Sequence, residues 1–257
     1  DMTESLVREM EENIDIVLCG FKCLLSNNNK DVFKTNIYPK TCLTKYEFLN
    51  QFGILFKDFY INYIFNKLYR RDIITNYNIR FDPSVGWGED LLFNISYFNQ
   101  CKMISIIDKL LYNYNKMNDQ SITSSFNKDL FMYKQKMYDC VRKFLIENNS
   151  YSGLNKKIVE EKYAYSVIVC LENLIYSDIN YNKEEFKVKI EEIIKNDQVR
   201  ESLSYLKNMG VQGKIIAKAI ERNQISLIIG YFKAKDFIKN QTNYLYKALK
   251  NINDYTK

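Results

Sequence analysis

Two adjacent carboxylates, Glu89 and Asp90, stand where a glycine-bracketed loop gives way to an apolar segment, in the stretch Ile79-Arg80-Phe81-Asp82-Pro83-Ser84-Val85-Gly86-Trp87-Gly88-Glu89-Asp90-Leu91-Leu92-Phe93-Asn94. A general base needs a fixed position and a negative charge at working pH. The first turn of a helix offers both, because its unpaired amide donors and the positive end of the helix dipole favour an anion by roughly 0.3–1 kcal/mol. Leu91, Leu92, Phe93, Ile95, Tyr97 and Phe98 predict a buried helix ending near Cys101, with Glu89 and Asp90 in its first turn. Gly86 and Gly88 free the backbone beside Trp87 for conformations closed to other residues. Two readings follow. An acidic helix start with a glycine hinge needs no further role; alternatively, one carboxylate is a base aimed across the Gly-Trp-Gly segment at a hydroxyl substrate. In the second reading Trp87 is an apolar platform of the kind on which sugar rings stack.

The elements around this corner read as α/β, then all-α. Thr3 to Glu12 predicts a helix, and the near-continuous apolar, β-branched run Ile14 to Phe21 predicts a buried strand. Ser26 to Lys40, polar and containing Pro39, predicts a surface excursion. Thr44 and Glu47 have capping-box spacing ahead of a helix through Phe48, Leu49, Phe52, Leu55 and Phe56. In Asn62 to Ile74, Asn66 and Lys67 interrupt an apolar passage, either as edge residues or as polar groups lining a cleft. Met103 to Ile107 and Leu110 to Tyr114 predict two short strands around Asp108-Lys109, and Asn115 to Ser125 a loop. From Lys128 helical periodicity takes over: Phe131–Ile146, Lys157–Tyr176, Lys183–Ile194, Val199–Leu206, Lys214–Glu221 and a last segment beyond Ile225, with breaks at Ser152-Gly153, Gly210 and Gly230. The expected domain boundary lies near 127, giving domains 1–127 and 128–257.

Composition excludes several chemistries. The 257 residues contain no histidine, which removes His-containing zinc sites, His-based triads and His-Glu-x-x-His proteases. Six scattered cysteines without a Cys-x-x-Cys pair or a secretory signal fit a reducing, cytoplasmic setting. No apolar run approaches the ~20 residues that span a bilayer. Residues 201–257 hold ten Lys/Arg against four Asp/Glu, an excess equal to the whole net charge of +6. A solvated helical face explains this; the alternative is contact with a membrane surface or acidic partner, since apolar residues from Ile225 to Leu249 alternate with the basic ones. Nucleic acid is not expected at so modest a charge.

The series Asn66-Lys67-Leu68-Tyr69-Arg70-Arg71, then Ile79-Arg80-Phe81-Asp82, then Gly88 to Asn94, then Leu111-Tyr112-Asn113-Tyr114 with Ser121-Ile122-Thr123, resembles bacterial family-2 glycosyltransferases of the GT-A fold over roughly residues 1–125. The resemblance implies a partial GT-A mixed sheet, the acceptor half, followed by an all-α domain. It implies transfer of a sugar, with inversion, from a nucleotide-sugar donor, usually UDP-linked, to the hydroxyl of a glycan or lipid-linked acceptor in cell-surface polysaccharide synthesis. It implies Asp90 as the base with Glu89 as its neighbouring alternative, Trp87 and Gly88 toward the acceptor, and Asn66 and Lys67 lining the cleft. Where the family bears an arginine toward the diphosphate this chain has Asn115-Lys116; Lys116 supplies a point charge without the bidentate fork. The family's nucleotide-binding half and its Asp-x-Asp ligands for a divalent Mg or Mn ion would precede the Asp1–Gly20 segment, so the chain is expected to be a carboxyl-terminal portion, inactive alone, with an unpaired sheet edge. From a different class, a non-catalytic helical docking module is the competing expectation, and a cytoplasmic location, with peripheral contact at the inner face of the membrane left open, fits both.

Overall fold

The computed structural model describes residues 1–25, 31–34, 37–116, 126–176 and 183–238. They form two compact units, 1–163 and 164–257, the division falling inside one long helix. In the first unit α1 (Met2–Glu9) leads into β1 (Ile16–Leu25); β2 (Asp31–Lys34) and β3 (Thr41–Thr44) follow, then α2 (Lys45–Lys57), β4 (Lys67–Tyr69), α3 (Arg71–Asn76), α4 (Glu89–Phe98), β5 (Met103–Lys116) and α5 (Leu130–Glu147). Helix α6 (Gly153–Ile175) begins in this unit.

Strand β1 organises the sheet. Ile16, Val17, Leu18 and Cys19 are fully buried, as befits a strand covered on both faces. One edge of β1 pairs in parallel with β5 along its length; the other pairs antiparallel with β4 at Ile16–Leu18 and with β2 at Lys22–Leu25. Strand β3 closes the far side, antiparallel to β5. The two short strands expected around Asp108-Lys109 are one strand, because β1 offers a partner on both sides of that pair and Asp108-Lys109 bulge out between Ile107 and Leu110. Gly20 sits opposite the irregularity, where a Cβ would come within 2.9 Å of Leu110 Cδ2. Both edges of the excursion at 26–40 have partial placement: β2 is seen, while 26–30 and 35–36 lie outside the described residues.

Local signals explain the helices. Thr44 caps α2, its hydroxyl accepting from Glu47 N–H while the Glu47 carboxylate accepts from Thr44 N–H, the capping box read in the sequence. Phe48, Phe52, Leu55 and Phe56 bury the inner face of α2. Helix α6 is tied to it by buried Asn155, whose Oδ1 accepts from Gly53 N–H (2.7 Å) and whose Nδ2 donates to Leu49 O (2.7 Å) and Ser150 O (3.1 Å). Arg142 of α5 forks onto Glu160 of α6 at 2.8 and 2.9 Å.

The second unit is helical: the end of α6, α7 (Lys183–Lys195), α8 (Asp197–Glu201), α9 (Leu203–Lys207), α10 (Gly210–Glu221) and a helix over 225–238. The single helix expected over Val199–Leu206 is split at Ser202, whose buried hydroxyl donates to Val199 O and so competes with the regular ladder. The break expected at Gly230 is absent: fully buried Ile228 and Phe232 anchor the helix on either side, outweighing the roughly 1 kcal/mol that a glycine costs. No described helix is long and apolar enough to cross a membrane. Residues 239–257, with the expected apolar positions Leu245 and Leu249, lie outside the described residues.

Asn155→Ala removes the partner of the buried Gly53 N–H and Leu49 C=O together. It should lower folding free energy by about 1–3 kcal/mol, read as a drop in the urea midpoint. Gly53→Ala should also destabilise, because its Cβ would sit 2.9 Å from Asn155 Oδ1 and 3.0 Å from Asn155 Cα.

Candidate functional site

Because β4 runs antiparallel to β1, it begins at the end toward which β1 and β5 are heading; Cys19 N–H donates to Asn66 O at 2.9 Å. The segment 60–66 therefore reaches β1 beside Cys19, and the parallel pair of β1 and β5 runs on past it to Leu25 and Lys116. Helix α4 carries a polar stripe at positions 90, 94 and 97, one face of a helix, of which Asn94 bonds this segment and Tyr97 bonds Asp15 and Arg70. The Ile64 backbone amide favours the ionised form of the Asp90 carboxyl. Fully buried Asn94 donates to Ile61 O (2.9 Å) and Tyr63 O (3.0 Å) and accepts from Tyr69 Oη at 2.6 Å. Tyr97 Oη donates to Asp15 O at 2.7 Å and accepts from Arg70 N–H at 2.8 Å.

Asp90 and Glu89 occupy the first turn of α4, as expected, and both are partly buried. Burial and the neighbouring Glu89 charge raise the Asp90 pKa above the ordinary aspartate value, against the Ile64 N–H and the Lys67 charge, which favour the ionised form. Gly88 caps the helix in the left-handed region (φ 86°), and a Cβ there would meet Met137 Sδ at 3.3 Å.

Asn66 and Lys67 are buried rather than surface-lining. Asn66 Nδ2 donates to Cys19 O (3.0 Å) and Tyr60 O (3.1 Å). Lys67 Nζ donates to Tyr60 O (3.0 Å), Asn66 Oδ1 (2.7 Å) and Tyr63 O. Burial pushes the Lys67 ammonium down to about 7, with the Cys19 and Asp90 positions pulling the other way. The cause of their inward placement is that the 60–66 segment leaves carbonyls pointing into the protein, which only buried donors can satisfy.

Trp87 is partly buried, with Lys134 Nζ of α5 3.1 Å from its ring centroid. The same helix face holds the rest of the loop: Lys136 pairs with Asp82 at 2.6 Å, and Tyr133 and Met137 lie against Gly86 and Gly88. Lys136 and Ser84 hold Asp82 far below the usual carboxylate range. Lys116 ends β5, Cα-paired with Leu25; its side chain, like Ser121-Ile122-Thr123, lies outside the described residues.

Sequence reading missed two contributors. Asn94 carried a signal, a buried-type asparagine four residues after Asp90 on an apolar helix. The other is a set of near-parallel rings: Phe65 stacks on Tyr112 (4.3 Å), Tyr114 (5.2 Å) and Tyr63 (4.9 Å), and Tyr63 on Phe59 (6.2 Å). Only the pairing of β5 with β1 brings these rings together. A separate depression of about 490 Å³, lined by residues such as Arg80, Pro83, Ser96 and Asn99, does not include Asp90. Among the described residues no three His, Cys, Asp or Glu side chains cluster as metal ligands, so the Mg or Mn ion implied by the resemblance finds no fitting site in them.

Lys67 sets a pH dependence. Its folded pKa lies below the ordinary 10.5, so above pH 7 the folded chain releases a proton that the unfolded chain retains. The unfolded state then binds more protons, and stability rises with pH. Between pH 7 and 9 the chain should gain stability that Lys67→Met does not gain, measured by urea denaturation across that range.

No protein-family model matches the chain. The chain is 28% identical over 211 residues to the uncharacterized glycosyltransferase EpsJ of Bacillus subtilis (strain 168), an alignment covering 79% of this chain and 59% of that protein. The chain thus spans under two thirds of the curated relative's length. Among solved structures, S. aureus TarS 1-349 in complex with UDP-GlcNAc aligns at 15% identity and TM-score 0.42 over 91% of this chain and 63% of that one. S. aureus TarS aligns at 14% and 0.41 over 89% and 37%. Structural likeness of that size carries no functional weight. By its sequence kinship with EpsJ, the chain is a relative of a bacterial glycosyltransferase, in agreement with the motif series running from Asn66.

Proposed function

We propose that this chain is the acceptor-side portion of an inverting, family-2-type glycosyltransferase of the GT-A fold, with Asp90 as the general base. The donor is a nucleotide-sugar, a UDP-sugar by resemblance, and the acceptor a hydroxyl of a cell-surface glycan. The observation that carries this reading is the placement of Asp90: a partly buried carboxylate in the first turn of α4, one helical turn ahead of buried Asn94, whose amide binds the segment 60–66 at Ile61 O and Tyr63 O.

In the reaction Asp90 accepts the acceptor hydroxyl's proton as that oxygen bonds to the anomeric carbon, and the nucleoside diphosphate leaves from the opposite face with the bonding electrons. A carboxylate whose pKa is raised by burial is a stronger base than a solvated one, and the Ile64 amide and Lys67 partly offset that rise. Trp87 already carries Lys134 on its ring, which makes the rings of Tyr63, Phe65, Tyr112 and Tyr114 the better surface for the apolar face of an acceptor sugar. The chemistry assigned to this chain ends at the acceptor proton; no step through a metal is assigned to it.

In the complete enzyme Asp90→Asn should lower kcat by roughly 10²–10⁴-fold, the usual contribution of a general base, while donor affinity stays within twofold. Transfer assays with donor titration measure both. Turnover close to the parent enzyme would refute the assignment, and loss confined to Glu89→Gln would move it one residue.

A further inference from the structure

We propose that the depression beside Arg80 is a binding site for an anionic sugar unit, one that bears a carboxylate or a phosphate. Its volume of about 490 Å³ is that of a small-molecule site. The motif Ile79-Arg80-Phe81-Asp82 lines it, and the reaction assigned to Asp90 uses none of these residues. Ser96 and Asn99 line it from α4 and its C-terminal cap. They project roughly 120° and 180° around the helix from Asp90. The site therefore does not depend on Asp90 being the base; for its biological meaning it rests on the glycosyltransferase reading, in which it seats a unit of the acceptor glycan other than the one that reacts.

The lining carries hydrogen-bonding groups that the protein leaves unused. Arg80 is exposed and donates through Nη1 to Ile79 O at 2.8 Å, while its Nε and Nη2 have no partner among the described residues. No described carboxylate lies within ion-pair distance of it. The side-chain amides of Asn78 and Gln100 make no hydrogen bond among the described residues. Asn99 accepts from Lys45 Nζ through its backbone oxygen (2.7 Å) and Oδ1 (3.4 Å), which leaves its Nδ2 unused. An amide offers a donor and an acceptor to neighbouring hydroxyls, and a guanidinium forks onto a carboxylate or phosphate. The charge balance agrees. Asp82, the carboxylate in the lining, is already paired with Lys136 at 2.6 Å and bonded by Ser84 Oγ at 2.6 Å. Arg80, with Lys45 bonded to Asn99, therefore leaves the depression positive. Exposed rings separate a sugar from a bare anion: Tyr77 is 58% exposed and Phe81 46%, and Phe81 is held in place by its stack on Phe93 at 4.5 Å. A fixed, half-exposed ring gives the apolar face of a pyranose a surface to lie on.

The test is an amide NMR titration of the 257-residue chain with glucuronic acid, glucose 6-phosphate, glucose and inorganic phosphate. At least one of the two sugar acids should shift the Asn78, Arg80 and Gln100 signals saturably, with a dissociation constant of roughly millimolar order, as befits so small a ligand. The tighter of the two identifies the anionic group. Glucose and inorganic phosphate should bind about tenfold more weakly, each lacking one half of the recognition. In Arg80→Gln, which keeps a polar side chain and removes the charge, affinity for the acid should fall about tenfold, to the level of glucose. The parent titration carries the test by itself if that variant does not fold. No saturable shift with either acid, or glucose or inorganic phosphate bound as tightly as the sugar acid, would overturn the proposal. Unchanged affinity in folded Arg80→Gln would overturn it too. None of these outcomes bears on Asp90→Asn, whose turnover tests the base alone.

Discussion

Helix α4 meets the segment 60–66 through the hydrogen bonds of buried Asn94, and is held beside it by Tyr97, which bonds Asp15 O and Arg70 N–H; the rest of the site inherits its geometry from that junction. The segment lies outside the strands, and apart from Asn66 O, which accepts from Cys19 N–H, its carbonyls have no ladder partner. Buried donors do so instead: Asn66 at the segment's own end, Lys67 from β4 and Asn94 from α4 satisfy them. Such a network is worth having only when nearly complete, since each buried donor or acceptor left alone costs about 1–3 kcal/mol. Two atoms in the segment, the Tyr60 hydroxyl and Asn62 Oδ1, have no partner among the described residues. The segment is thus held chiefly by its backbone carbonyls.

The other flank is held by α5. Lys136 on Asp82, Lys134 on Trp87, and Tyr133 and Met137 against Gly86 and Gly88 bind the glycine-bracketed loop to one helix face. Phe81 stacks on Phe93 of α4 at 4.5 Å, so loop and helix start are also joined directly. The exposed Asp82 pair contributes little by itself in water. Its value lies in fixing a loop that two glycines would otherwise leave loose. A base is useful only if it stays put, and these contacts place the helix start between two anchored segments.

What could be read from the sequence followed the range of the interactions. The α1 helix, the buried strand β1, the Thr44–Glu47 cap and the acidic start of α4 rest on contacts within a few residues, and all were legible. The continuity of β5 was not, because only its pairing with β1 carries the strand through Asp108-Lys109. Gly230 misled for a similar reason: burial of Ile228 and Phe232 is a tertiary fact that local propensity does not contain. At the site, the place of Asp90 in the first turn of a helix could be seen, but the inward orientation of Asn66 and Lys67 could not. A polar pair in an apolar run fits a cleft wall and a buried donor set equally well until the carbonyls it serves are located. The ring set of Tyr63, Phe65, Tyr112 and Tyr114 likewise exists only once two distant segments are paired.

These features converge on one claim, that Asp90 receives the proton of an acceptor hydroxyl. The most direct measurement is a crystal structure of the complete enzyme with an acceptor sugar bound. The account predicts the reactive hydroxyl within about 2.6–3.2 Å of an Asp90 carboxylate oxygen, the reach of a general base, with the sugar's apolar face against the rings of Tyr63 and Tyr114. An acceptor seated with its hydroxyl against another residue, such as in the depression beside Arg80 and Pro83, and with Asp90 bonded only to protein, would contradict it.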